Sequence, residues 1–413
     1  MLRRRAVSIK GFPLVTCMLI ITLAGLSACS QAASTSQSQN PPIRIGLSIS
    51  VSGDFAADAK YTLQGYQLWA DTVNQNGGLL GRPVKLVTLN DDSTPERVKA
   101  NYEHLITVDH VDLTVGPFST LLTKAARDVT HAHGYALLEG SGGGPSVFNG
   151  DTNIFDVSLP VVNNLVTSAF YILSLPADMR PKTAAYATED DPFTQPQVDL
   201  TRQMLTNGGI ASVYYHVYPA DTTKDYTPFA KAIVRTHADV VIMGTLLNDL
   251  TAFMVVFKQE HYTPKLLIAT AGPDQGDDFV NAVGLKDTEA VMVPNGWYPA
   301  ANTFQNAQMV QDCVAHYGGT QDSISSNVPE AYAVGQVLAQ AVSKIGSLNN
   351  TALINELHND TFNSVQGAVK FNATGQNVTA VPYLFQWQNG KLLPVFPASI
   401  AVENPEYPKP ATP

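Results

Sequence analysis

From residue 43 onward the chain switches repeatedly between two hydrophobic rhythms. Short β-branched runs give way to segments whose apolar residues recur every three or four positions. Residues 43–49 (Ile-Arg-Ile-Gly-Leu-Ser-Ile) predict a strand. Residues 60–76 predict a helix carrying Leu63, Tyr66, Trp69, Ala70 and Val73 at helical spacing, stopped by Gly77-Gly78. A strand over 84–89 precedes a helix over 94–108, opened by Ser93 or Thr94 with Pro95 in its first turn. Strand 111–115, helix 120–133 and strand 135–138 complete this first series. After Pro160 a second series begins. Helices over 161–175, 195–206, 228–235 and 249–261 alternate with strands over 183–187, 211–217, 239–243 and 265–269. Strands separated by helices of this length imply βαβ crossovers. The expected fold class is therefore α/β: two open, Rossmann-like lobes whose parallel sheets are covered on both faces. Ligands of such sheets lie beyond the carboxyl ends of the strands. The loops there are polar and glycine-rich, over 50–58, 90–94, 116–120, 140–146, 189–193 and 271–278.

The first thirty residues carry a different signal. Arg3, Arg4, Arg5 and Lys10 lead into an apolar run over 11–26, too short for a stable spanning helix, which ends at Leu26-Ser27-Ala28-Cys29. That tetrapeptide resembles the lipobox of bacterial lipoproteins, in which the cysteine is acylated and becomes the new N-terminus. Residues 1–28 are thus expected to be a lipoprotein signal peptide and Cys29 the lipidation site. After Cys29, residues 30–42 are mostly Ser, Gln, Ala and Asn with no large apolar side chain, so 29–42 is expected to be a flexible linker. The expected location is extracytoplasmic, tethered to the cell membrane through the lipid.

Charge and cysteine usage narrow the function. Loss of the four positive charges before Cys29 takes the formal net charge from −10 to −14. This argues against nucleic acid and against charge-driven binding to anionic lipid. With Cys17 removed and Cys29 acylated, Cys313 is left alone and is expected in the core. A mature chain of 385 residues without a disulfide must rest on a sizeable core and is long enough for two domains.

Among residues able to do chemistry, Ser119 or Thr120 would cap the helix that follows Gly116-Pro-Phe. Its free N–H groups suit a carboxylate or phosphate, although an ordinary cap without ligand explains the motif equally simply. Gly140-Ser-Gly-Gly-Gly-Pro-Ser lacks a phosphate-loop lysine and the spacing of a dinucleotide fingerprint. Its glycines permit close backbone approach to a small ligand, or simply make a turn. Asp91-Asp92, Asp190-Asp191 and the group Asp274, Asp277 and Asp278 follow strands. They offer acid–base, metal or ammonium chemistry, or plain helix capping. His131 and His133 stand two apart on a helix and share no face. Neither His-Glu-x-x-His nor Gly-x-Ser-x-Gly occurs.

Taken together, these residues resemble the type I periplasmic binding proteins of the branched-chain amino acid type, which serve ABC transporters. The resemblance rests on Ile43-Arg-Ile-Gly, Ser52-Gly53, Gly65, Asn76-Gly-Gly-Leu-Leu-Gly-Arg-Pro-Val, Asp91-Asp92, Val115-Gly116 and Gly272-Pro273. It implies two lobes joined by a three-strand hinge, with the ligand in the cleft. Crossovers near 156–159, 293–297 and 366–370 would give a first lobe of 43–157 with 296–367. The second lobe would comprise 158–295 with 368–404, followed by a disordered tail over 405–413. The family's ligand carboxylate would be held by Ser119 and Thr120, with contacts from Ser141, Gly142 and Gly143. Asp274 would meet the ammonium and Phe193 would cover the ligand. The sequence departs from the family where Phe193 replaces a tyrosine and where Leu246 stands near a second one. Asp58 falls in the first loop where an aromatic often sits, and Gly143 replaces a hydroxyl residue. These changes put leucine, isoleucine and valine as ligands in doubt.

The implied function is a lipid-anchored substrate-binding protein of an ABC transporter, capturing an amino acid or similar small zwitterion or amide by cleft closure. Its partners would be that small molecule, the ABC permease subunits and the membrane. A monomer without cofactor, metal or catalytic residues is expected. A ligand-sensing subunit for a membrane partner is the alternative; a lipoprotein hydrolase using Asp91, Asp190 or a bound metal is a more distant one.

Overall fold

Why the two series fold apart is visible in how each strand buries its faces. A computed structural model describes residues 40–150 and 152–411; the expected signal peptide, Cys29 and most of the expected linker lie outside them. In order, the first segment contains β1 (Ile43–Ile49), α1 (Ala56–Gln75), β2 (Val84–Asn90), α2 (Pro95–Thr107), β3 (Leu113–Val115), α3 (Thr120–Ala132), β4 (Leu137–Glu139) and β5 (Ile154–Asp156). The second contains α4 (Val162–Ser174), β6 (Thr183–Glu189), α5 (Thr194–Asn207), β7 (Ala211–Tyr218), α6 (Thr227–Thr236), β8 (Val240–Gly244), α7 (Leu247–Gln259), β9 (Leu266–Ala269), α8 (Asp277–Val283), α9 (Leu285–Thr288) and β10 (Val291–Asn295). Then come α10 (Asn306–Tyr317), α11 (Asn327–Ile345), α12 (Asn350–Asn359) and the hairpin β11 (Thr361–Ser364) and β12 (Gly367–Lys370). The last strands are β13 (Tyr383–Gln388) and β14 (Lys391–Phe396).

The first sheet is all parallel in the order β2-β1-β3-β4-β5. Ile43, Ile45, Leu47 and Ile49 of β1 point to one face, against Trp69 and Tyr66 of α1 and Val334, Val337 and Leu338 of α11. The other face is filled by α2 and α3 through Tyr102, Leu105, Leu122 and Ala126. The second sheet runs β14-β13-β10-β9-β8-β6-β7. Its core also lies on both faces, with Leu250 and Phe253 on one side and Leu165 and Ile172 on the other. Cys313 is buried in the first lobe's core, where desolvation pushes its thiol up to about 11, as expected of a packing residue.

The α/β class with two lobes stands, with three differences. β13 and β14 are antiparallel additions to the second sheet. Their pairing through residues 383–396 completes an edge that a helix-by-helix reading does not supply. The third crossover comes later than 366–370: Val365, Val369 and Phe371 pack in the first lobe's core, and the chain changes lobe between Phe371 and Tyr383. Asn377 Nδ2 ties this crossover to the first by donating to the Val157 carbonyl (2.9 Å). The tail expected to be disordered is docked on the second lobe as far as it is described. Tyr407 donates its hydroxyl to the Met179 carbonyl (2.6 Å), the Lys409 amide donates to the Lys265 carbonyl (2.8 Å), and Lys409 Nζ meets the Glu289 carbonyl. Among the described residues no helix is long and apolar enough to cross a membrane.

Candidate functional site

The carboxyl ends of the strands in both sheets open onto one cavity of about 850 Å³, mouth included. β1 occupies a switch point of the first sheet, between β2 and β3, and the loops beyond β3 and β4 supply Phe118, Ser119 and residues 140–143. From the second lobe come Phe193 after β6, Leu246 after β8, and Thr270, Ala271 and Asp274 after β9. Of the nine ligand residues expected from the sequence, eight line this cavity: Asp58, Ser119, Ser141, Gly142, Gly143, Phe193, Leu246 and Asp274. Thr120 does not. Its Oγ1 accepts the Gly144 amide (3.1 Å), so it braces the glycine loop from behind.

Local chemistry explains how each is held. Ser119 sits at φ 78° as the N-cap of α3, its Oγ accepting from the Leu122 amide (3.3 Å). Its own amide donates to the Ser141 carbonyl (3.1 Å), which joins the two first-lobe loops. Asp58 is the third residue of α1, in its first turn rather than in the preceding loop. Asp274 accepts the Gly272 amide (3.0 Å) at Oδ1 and the Ser326 hydroxyl (2.7 Å) at Oδ2. Asp191 accepts the Phe193 amide (2.7 Å), and so fixes the aromatic at the start of α5.

Several bonds cross from lobe to lobe around the rim. Lys60 Nζ and the Tyr61 hydroxyl of α1 both donate to Asp278 Oδ2 of α8, each at 2.7 Å. The Ser325 hydroxyl donates to Gln275 Oε1 (2.6 Å), and the Ser326 amide donates to the Asp274 carbonyl (3.2 Å). At Gly276 (φ 56°) a Cβ would stand 2.3 Å from the Ser323 carbonyl oxygen, so the lobes touch backbone to backbone there. This is a shut cleft.

Asp91 and Asp190 have structural roles outside the cavity lining. Asp91 accepts the Ser50 hydroxyl (2.6 Å), the Ser48 hydroxyl (3.1 Å) and the Ser93 amide (2.9 Å) below the first sheet's loops. Asp190 accepts the Ala220 amide (2.7 Å). His133 Nε2 lies 2.9 Å from Glu103, far from the cavity lining.

Three carboxylates at the cavity's inner end were not anticipated as site residues: Glu139 at the end of β4, Asp156 at the end of β5, and Glu330 in the first turn of α11. Asp156 and Glu330 line the cavity, and Glu139 lies directly behind the glycine loop. Burial pushes Asp58 up to about 7, with Asp274, Asp249 and Asp278 adding to the rise. Burial likewise raises Glu139 to about 8, although the Gly142 and Ser141 amides pull the other way. Asp156 and Glu330 are pushed well above the carboxylate range by burial and by the neighbouring acids. Among the described residues no lysine, arginine or histidine lines the cavity, and no group of His, Cys, Asp and Glu is arranged to hold a metal ion.

A two-lobed α/β fold with a shut interlobe cavity at the strand ends defines a class of cleft-closing binding proteins. A family model for periplasmic binding proteins matches residues 42–391, and the chain belongs to that family. A Leu/Ile/Val-binding protein homolog 7 from Brucella melitensis is 23% identical over 406 residues, spanning 95% of this chain and 99% of the relative. Among solved structures, the branched-chain amino acid transporter substrate binding protein LivJ from Streptococcus pneumoniae, in complex with isoleucine, superimposes with a TM-score of 0.75 at 18% identity. That match covers 85% of this chain and 97% of the other. A solute binding protein of an ABC transporter from R. palustris, in complex with benzoate, gives the same TM-score and identity over 88% and 98%. The relatives named here are binding proteins, not enzymes.

Proposed function

We propose that this chain is the extracytoplasmic substrate-binding protein of an ABC transporter, held to the membrane through a lipid on Cys29. It captures a small solute in the cleft between its lobes and presents the closed form to permease subunits. The observation that carries the reading is the cavity itself. It is lined from both lobes and bridged at its rim by bonds that exist only while the lobes are together. Phe55 and Phe118, edge to face at 5.9 Å, offer the ligand an apolar wall from the first lobe, and Phe193 offers one from the second. Capture needs no chemistry. A ligand that contacts both lobes binds the closed state better than the open one, and that difference in affinity drives closure.

The tether complements this role by keeping the receptor at high effective concentration near its permease. Calorimetric titration of the purified protein with amino acids, amides and amines, paired with solution scattering, tests the reading. A bound ligand should contract the radius of gyration. Absence of both heat and contraction across the whole panel contradicts it.

A further inference from the structure

We infer that the ligand is a small organic cation without a carboxylate, such as an aliphatic diamine or an aminoalkyl guanidine. The inference deepens the receptor reading above and rests on it.

Several donors around the glycine loop that could receive a ligand carboxylate are already committed to acceptors of the protein itself. The Ser119 amide donates to the Ser141 carbonyl, and the Gly144 amide donates to Thr120 Oγ1. The Gly142 amide donates to Glu139 Oε2 at 2.6 Å, and the Ser141 amide also turns toward that carboxylate. The Ser141 hydroxyl donates to Glu330 Oε2 at 3.1 Å. The glycine loop therefore cups the chain's own carboxylates. A second anion brought to the same place would meet Glu139, Glu330 and Asp156 without a cation to offset them.

Acceptor capacity, by contrast, is in excess. Asp156 is 1% exposed, lines the cavity, and takes the Ser158 amide on Oδ1 (3.0 Å), while its Oδ2 has no hydrogen-bond partner. Glu139 Oε1 is likewise unpartnered. A buried acceptor left unpaired is costly, and a buried carboxylate more so, unless something supplies donors and positive charge. An ammonium or guanidinium supplies both. Glu330, Asp156 and Asp58 line the cavity from the first lobe, and Asp191 and Asp274 line it from the second. Carboxylates at more than one point on the wall suit a ligand with a charge at each end. The aromatic rings of Phe55, Phe118 and Phe193, which line the same cavity, suit its aliphatic body and the faces of its cations.

The test is calorimetry and solution scattering on the full mature chain with putrescine, agmatine, leucine, acetamide and Ca²⁺. Putrescine or agmatine should bind at least ten-fold more tightly than leucine or acetamide and should contract the protein. Asp156→Asn should weaken that amine at least ten-fold while the ligand-free melting temperature holds or rises, because the side chain it replaces is a buried carboxyl with an unpartnered oxygen. Should Asp156→Asn unfold, Glu330→Gln is read the same way. Tighter binding of leucine or acetamide, with contraction, overturns the cation but leaves the receptor intact. Binding of Ca²⁺ in preference to both amines, or unchanged amine affinity in both variants, overturns it too. No contraction with any of the five overturns the receptor reading as well.

Discussion

Replacing Asp58 by asparagine should make the stability of the closed protein less dependent on pH, by an amount its surroundings set. Asp58 is 4% exposed in the first turn of α1 and faces the shut cleft. Burial, then the negative charges of Asp274, Asp249 and Asp278, raise it from 3.8 to about 7, with Lys60 offsetting part of the rise. A group whose folded pKa lies above its unfolded value stabilises the fold fully below the unfolded pKa. That contribution is lost as pH rises through the folded one. Linkage between 3.8 and about 7 then gives a loss of about 2 to 3 kcal/mol between pH 5 and pH 8 from this residue. Urea denaturation of both proteins at pH 5, 6, 7 and 8 measures it. Glu139, raised to about 8, and Asp249, raised to about 7, keep part of the slope in each protein. The quantity to read is therefore the difference between the two slopes. Wild type should lose more stability on going to pH 8 than Asp58→Asn does, and identical slopes would refute the reasoning.

Other perturbations separate closure from contact. Asp278→Ala removes the acceptor shared by Lys60 and Tyr61 across the rim. Since that pair is partly exposed, it should weaken ligand affinity only about two- to five-fold, with thermal stability nearly unchanged in differential scanning fluorimetry. Phe193→Ala should weaken affinity about ten-fold or more through lost apolar contact, read by calorimetry. Gly143→Ala places a Cβ 2.3 Å from Asp156 Oδ2. It should displace that carboxylate and abolish amine binding while circular dichroism stays native. Retained affinity would show that Asp156 does not touch the ligand.

Much of the fold was legible in the sequence because each lobe is built from local periodicity. The predicted helix over 195–206 and strand over 211–217 are α5 (Thr194–Asn207) and β7 (Ala211–Tyr218). Where the chain returns to a lobe it has already left, periodicity says nothing about destination. The hairpin over 361–370 reads like a crossing strand, yet Phe362, Val365 and Val369 anchor it in the first core. The tail was opaque for the same reason: Pro-rich residues look unstructured until Gln386 and Gln388 supply partners for Glu406 and Asn404.

The region of the candidate site was legible as loops at strand ends and its individual residues through the family resemblance, and eight of the nine expected residues line one cavity. Its charge was not. Glu139 reads as the polar end of strand Leu137-Leu138, and Glu330 as a first-turn helix acid. Only the fold brings them together with Asp156 across intervals of 17 and 174 residues in the sequence.

The central claim is that two lobes close on a small cation. Solution scattering of the full mature chain, with and without saturating putrescine or leucine, tests it most directly. The radius of gyration should contract at a putrescine concentration at least ten-fold below any leucine concentration that contracts it. Contraction with leucine alone would contradict the charge assigned to the ligand, and contraction with neither would contradict the account as a whole.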